Sequence, residues 1–197
     1  MLKKIIINNI IVLFFFTLKA FAFEENAKQL IQITTENAKK IAISSEITIQ
    51  DKKNKIENIA LNVVDVDGLA RFTLGSHKKN LNDNQLKKYY KTFRVFFVKN
   101  ISSRLQNYSN QNIMVTGAKK ISQNYVLVNS KMISEKDNQK INIDWRVFKI
   151  KEKLVIRDLV VEGLSLAKTQ REEINSIIAT KGFDGLISNL NDYISKN

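Results

Sequence analysis

Helices first, strands next and helices last: this order predicts an α+β domain. N-terminal helices and one long amphipathic helix pack on a curved, mainly antiparallel four-stranded sheet, and further helices close the C-terminus. Three observations carry the prediction. Apolar residues recur at three and four between Leu86 and Tyr108, and at two between Asn112 and Gly163. Short polar connections such as "EKDNQ" and "KEK" join the alternating runs, which suits a meander rather than crossovers.

The elements follow in chain order. Lys3 and Lys4 precede the 14-residue apolar run "IIINNIIVLFFFTL", and Ala20-Phe21-Ala22 supplies a small-x-small cleavage pattern. This is the layout of a secretory signal peptide over residues 1–22, with a single domain over 23–197. The run is short of the ~20 residues that span a bilayer comfortably, and an uncleaved N-terminal anchor is the alternative. Residues 24–43 read as a helix with Leu30, Ile31, Thr34, Ala38 and Ile41 broadly on one face, and residues 51–64 as a second through Ile56, Ile59, Ala60 and Val63. "VDGLARFTLGS" reads as a short helix or turn ending at Gly75, where a left-handed cap fits.

The clearest helix comes next. Asn82 and Gln85 have the spacing of a capping box, and behind them Leu86, Tyr89, Tyr90, Phe93, Phe96, Phe97, Ile101, Leu105 and Tyr108 form an aromatic stripe. Lys87, Lys88, Lys91, Arg94 and Lys99 occupy much of the remaining surface. Strands are predicted at 112–121, 124–134, 140–150 and 154–163. In the third, Ile141, Ile143, Trp145 and Val147 face one way, with Asn142, Asp144 and Arg146 opposite. The aromatic helix is expected to cover the apolar face of this sheet. After Gly163, which supplies backbone freedom at the strand exit, either Ser165 or Thr169 caps a helix that Gly182 ends, and 184–195 forms a last short one.

Composition removes several classes of function. The formal net charge is +13, and +10 once Lys3, Lys4 and Lys19 are set aside with the leader. The lysines are scattered, and no nucleic-acid-binding signature accompanies them, so nucleic acid is not the expected partner. A basic surface does favour contact with anionic membranes or acidic partners. With no cysteine, the chain has neither disulfides nor thiol chemistry. Its one histidine, His77, lies in the polar stretch "GSHKKN" and reads as solvated, so no metal site is expected. Asp65 and Asp67 read as helix-capping residues rather than a catalytic pair, and Ser165 as a cap without a base to activate it.

The C-terminal third carries a resemblance. Asp158, Glu162, Gly163, Ser165, Arg171, Gly182, Leu186 and Leu190 match a pattern of aspartate, aliphatics, Glu-Gly-aliphatic-Ser-aliphatic, then an arginine, then Gly-x-x-x-Leu-x-x-Leu. Leu74-Gly75 and the aromatic spacing of Tyr89, Phe93, Phe97 and Tyr108 extend it upstream. Together these resemble the MlaC family, also called the toluene-tolerance family. Leu154, Gln170 and Ile174 depart from it, standing where a Trp, a Tyr and a Phe are usual.

The resemblance implies a fold somewhat like nuclear transport factor 2. It also implies a periplasmic phospholipid carrier working between an outer-membrane lipoprotein complex and the lipid-binding subunit of an inner-membrane ABC transporter. It implies no catalysis and no cofactor, with phospholipid as cargo. The physical need for such a carrier is plain. Burying a methylene is worth ~0.8 kcal/mol, so a 16-carbon chain represents about 12 kcal/mol that water alone cannot supply.

On that reading Leu74, Tyr89, Phe93, Phe97, Trp145, Val147, Leu159 and Val161 are candidate acyl-chain contacts. From helical and strand spacing alone they read first as plain core, and only the resemblance raises some of them towards lipid contact. Asp158, Glu162, Gly163, Ser165 and Arg171 form a structural motif. Arg171 is expected to pair with Asp158 or Glu162; the alternative is a lipid phosphate. Two other classes stay open: an enzyme of similar cone-shaped fold, which would need a carboxylate on the inward strand face, and a basic exported protein binding anionic surfaces.

Overall fold

The alternating runs pair with their neighbours in chain order, as strands must when short turns join them and one face is buried. The computed structural model describes residues 2–105, 111–134 and 139–197, with side chains from Ala22 onward apart from Leu105. The helices are α1 (Leu2–Ile43), α2 (Ile49–Val63), α3 (Val66–Leu74), α4 (Asp83–Leu105) and α5 (Leu166–Lys196), with a 3-10 segment at Gly75–Asn80. The strands are β1 (Gln111–Ser122), β2 (Tyr125–Ser134), β3 (Lys140–Ile150), β4 (Lys153–Val161) and β5 (Leu164–Ser165). They form one antiparallel sheet in the order β1-β2-β3-β4-β5. The expected leader, apart from Ala22, lies outside the residues whose side chains are described, as do Tyr108 and most of the "EKDNQ" connection. Among the described residues no helix is long and apolar enough to cross a membrane.

The α+β class holds, with five strands in place of four. The expected fourth strand stops at Val161. Glu162 and Gly163 then make a two-residue turn at φ 47° and 82°, and Leu164 pairs back onto Val161. Two central residues at positive φ match the twist of a tight antiparallel hairpin, and glycine adopts that geometry without steric cost. The start of α5 is settled too: Ser165 Oγ accepts from the Lys168 N–H at 3.1 Å, whereas Thr169 donates to the Ser165 carbonyl. Gly182, at φ 69°, kinks α5 and leads straight into its second half.

Two cores result, and they correct the expected packing. The sheet face bearing Val126, Val128, Ile143, Trp145, Val147 and Ile156 is covered by Ala27 and Ile31 of α1. The aromatic helix α4 builds a separate core. There Tyr89, Phe93 and Phe96 pack with Val66, Ala70 and Leu74 of α3, and with Ile174, Leu186, Ile187 and Leu190 of α5. The stripe is satisfied by other helices, so α4 does not lie directly on the strands.

The two units are joined at the α2–α3 corner. Val64 bridges in parallel to Ile156, and the Asp65 N–H donates to the Ile156 carbonyl at 3.0 Å. Asp65 also caps α3, accepting from the Gly68 N–H at 2.9 Å. The sheet bends at irregularities in β1 and at Arg157 of β4, the extra residue between the Arg146–Asp158 and Val147–Ile156 pairs.

Candidate functional site

The space where the two cores meet is not filled. A hollow of about 190 Å3 separates α4 from β4. Phe93, Phe96, Phe97 and Ile101 form its α4 wall, Ile156 and Leu159 its β4 wall, and Leu166 and Ala167 its end at the start of α5. The bulge at Arg157 sets up the strand wall. Leu154 and Ile156 share a face before it, and Leu159 and Val161 regain the same face after it, since Val147 pairs with Ile156 and Trp145 with Leu159. Polar groups stand at the margins: Asn100, Arg104, Gln170 and Glu173.

A second hollow, of about 310 Å3, adjoins the first and shares Leu69, Arg157, Asp158 and Ala167 as common wall. Its other lining residues are Gly68, Arg71, Phe72, Arg146 and Phe148. One compartment is thus mainly apolar and the other lined by arginines, with the β4 bulge between them.

Asp158 sits at this partition, buried to 8 % exposure. Its Oδ1 accepts from the Ala167 N–H at 2.9 Å, while its Oδ2 accepts from Ser165 Oγ at 2.6 Å and lies 3.2 Å from Arg146 Nη1. Every part of the carboxylate is committed to holding the start of α5, so it acts as a cap and counter-ion rather than a proton-transfer group. Arg157 donates from Nε to Asp65 at 2.8 Å, and its guanidinium lies 5.0 Å from the centre of the Phe148 ring. Tyr125 stacks on Phe148 at 4.6 Å, and burial pushes its hydroxyl pKa up, an effect opposed by Arg146. Arg146 Nε is buried with no acceptor. Such a donor costs about 1–3 kcal/mol when left unmade.

Of the eight candidate chain contacts, Phe93, Phe97 and Leu159 line the apolar hollow. The others do not. Leu74 and Tyr89 are buried in the helical core, Trp145 and Val147 in the α1–sheet core, and Val161 packs against the latter. The hydroxyl of Tyr89 meets Thr73 Oγ1 at 2.8 Å, and Trp145 Nε1 donates to Ser130 Oγ at 2.8 Å, so both polar atoms are internally satisfied.

Arg171 pairs with neither Asp158 nor Glu162. Its guanidinium lies 5.1 Å from the centre of the Phe72 ring, against Gly75. Glu162 instead accepts from the Asn142 N–H. Residues missed in the sequence include Ile156, Ala167, Arg71, Arg146 and Arg157. The bulge that places the last of these is the break in alternation between Ile156 and Leu159. His77 lies in the 3-10 segment, and among the described residues no cluster could hold a metal ion.

Fold and site define a class: an α+β chain whose helical layer and bent antiparallel sheet leave a mainly apolar hollow beside a basic one. The MlaC protein family model matches residues 24–192, and the chain belongs to the MlaC family. One relative is the "Intermembrane phospholipid transport system binding protein MlaC" of Haemophilus influenzae, 24% identical over 144 residues, covering 72% of this chain and 67% of that one. A solved structure, the phospholipid-binding protein from Ralstonia solanacearum in complex with a phospholipid, superposes with a TM-score of 0.70 at 16% identity. It covers 88% of this chain and 97% of its own. That likeness establishes the fold.

Proposed function

We propose that this chain is a periplasmic phospholipid carrier, exported by a signal peptide over residues 1–22 and acting as a single domain over 23–197. It exchanges lipid between an outer-membrane lipoprotein complex and the lipid-binding subunit of an inner-membrane ABC transporter, and acyl chains occupy the hollow between α4 and β4. It is not an enzyme: the cargo leaves unchanged, and no covalent step or cofactor enters.

The observation that carries this reading is the apolar hollow itself, walled by Phe93, Phe96, Phe97, Ile101, Ile156 and Leu159, in a chain of this family. The names of the Haemophilus relative and the Ralstonia structure point the same way.

The mechanism is transfer of hydrocarbon from bilayer to protein. Each methylene moved into the hollow retains ~0.8 kcal/mol that water would forfeit, so the protein stands in for the membrane interior during transit. At about 190 Å3 the hollow is smaller than the ~300–1,000 Å3 of typical ligand pockets, so loading requires α4 to draw away from β4 while the start of α5 stays tied to Asp158. Direct packing between α4 and the strands offers little resistance to that movement, because α4 packs mainly on α2, α3 and α5. Purifying the exported protein gently and analysing extracted lipid by mass spectrometry should give phospholipid in near-stoichiometric amount. A protein that carries none, and takes none up from vesicles, is not a lipid carrier.

A further inference from the structure

The arginine-lined hollow has donors and charge left over after its internal pairs are made. Arg71 is exposed and makes no ion pair among the described residues. Arg146 gives Nη1 to Asp158 and keeps Nε without an acceptor, and Arg157 gives only Nε to Asp65. Both carboxylates are already engaged as caps, of α3 and α5 respectively. Three guanidiniums against two carboxylates leave a surplus of one positive charge, with several N–H groups unspent. Phe72, on whose ring Arg171 lies, closes the same hollow and adds a further cation at its edge. Guanidinium forks fit phosphate oxygens better than any other common anion-binding side chain does.

We propose that this hollow is a phosphate-binding site served by Arg71, Arg146 and Arg157. Resting on the carrier reading above, we assign its ligand as the phosphodiester of a lipid whose chains enter the adjoining apolar hollow. A phosphodiester carries one negative charge, which the surplus of Arg71, Arg146 and Arg157 over their two carboxylates balances, with Arg171 standing outside that count. The shared wall of Leu69, Arg157, Asp158 and Ala167 sets the two hollows side by side, the relation that a head group bears to its own tails. The chain would therefore take glycerophospholipids in preference to neutral diacylglycerols of equal chain length.

The test compares the exported protein with Arg71→Gln and Arg71→Lys, chosen because Arg71 holds no structural partner. Uptake of dioctanoyl phosphatidylglycerol and of dioctanoylglycerol is measured by calorimetry, and binding of inorganic phosphate by broadening of its phosphorus resonance. The expected result is preference for the phospholipid, with Arg71→Gln losing roughly tenfold for it, Arg71→Lys losing less, and the diacylglycerol unaffected. Equal affinity for the two lipids in wild type, or equal weakening of both by Arg71→Gln, overturns the phosphate site while leaving the carrier reading intact. Inorganic phosphate bound by wild type but not by Arg71→Gln, with neither lipid taken up, retains the phosphate site and sinks its assignment to lipid along with the carrier reading.

Discussion

Tyr89 shows how a polar atom is kept in an apolar core. Its ring is fully buried among α3, α4 and α5. Thr73 Oγ1 can donate back to the Leu69 carbonyl at 3.0 Å, which leaves it free to accept from the tyrosine hydroxyl at 2.8 Å. Burial raises the Tyr89 pKa; the Thr73 hydrogen bond opposes the rise and Tyr90 adds to it. The folded state therefore favours the neutral phenol. That contribution is whole below the ordinary tyrosine pKa of about 10 and is lost as pH climbs from there towards the higher folded value. Tyr89→Phe should cost about 1 kcal/mol at pH 7, because Thr73 keeps its backbone acceptor. Above pH 10 its unfolding midpoint should fall less steeply than that of wild type. Urea melts followed by Trp145 fluorescence at pH 7 and pH 10.5 check both points, and parallel declines would refute the assignment. Gly75 is a second constrained position: its φ of 57° favours glycine, and an added Cβ would sit 3.0 Å from Arg171 Nε, so the Arg171 side chain on Phe72 would also have to shift.

Among the helices, α4 is the best specified locally. The Asn82 N–H donates to Gln85 Oε1 at 3.0 Å and the Gln85 N–H to Asn82 Oδ1 at 2.9 Å, a reciprocal capping box at the predicted residues. Asn82→Ala should lower stability by about 1 kcal/mol without altering lipid uptake. A loss of uptake at unchanged stability would mean that the helix start has a role beyond capping. The strand β4 is the opposite case. Its alternation changes phase at Arg157, and an uninterrupted strand over 154–163 overlooks the bulge that turns Arg157 to Asp65 and sets the wall between the hollows. The pairing of Leu164 with Val161 was likewise hidden, because a two-residue strand has too little periodicity to register.

In the assembled molecule, the proposed carrier mechanism turns on the gap between two separately packed cores. Ala167 lines both hollows at their shared wall, so Ala167→Leu should fill that junction. Three added carbons bury up to about 2 kcal/mol of apolar surface if they fit without strain. Stability should hold or rise while phospholipid uptake from vesicles falls more than tenfold. Wild-type loading in a folded Ala167→Leu protein would remove the hollow from the proposed mechanism.

Local chemistry in the chain determined where the helices and the four long strands lie, where α4 begins, that Asp65 caps a helix, and the family to which the chain belongs. These follow from spacing and from hydrogen bonds that reach no more than a few residues along the chain. Which apolar face meets which was decided only by tertiary structure. The stripe on α4 has the same periodicity whether it packs on a sheet or on other helices, so Leu74, Tyr89, Trp145 and Val147 could not be told from Phe93, Phe97 and Leu159. Arg71, Arg146 and Arg157 come from α3, β3 and β4 and converge only after β4 bulges and α3 is tied to it. Packing and long-range pairing, which local periodicity does not encode, create the hollows.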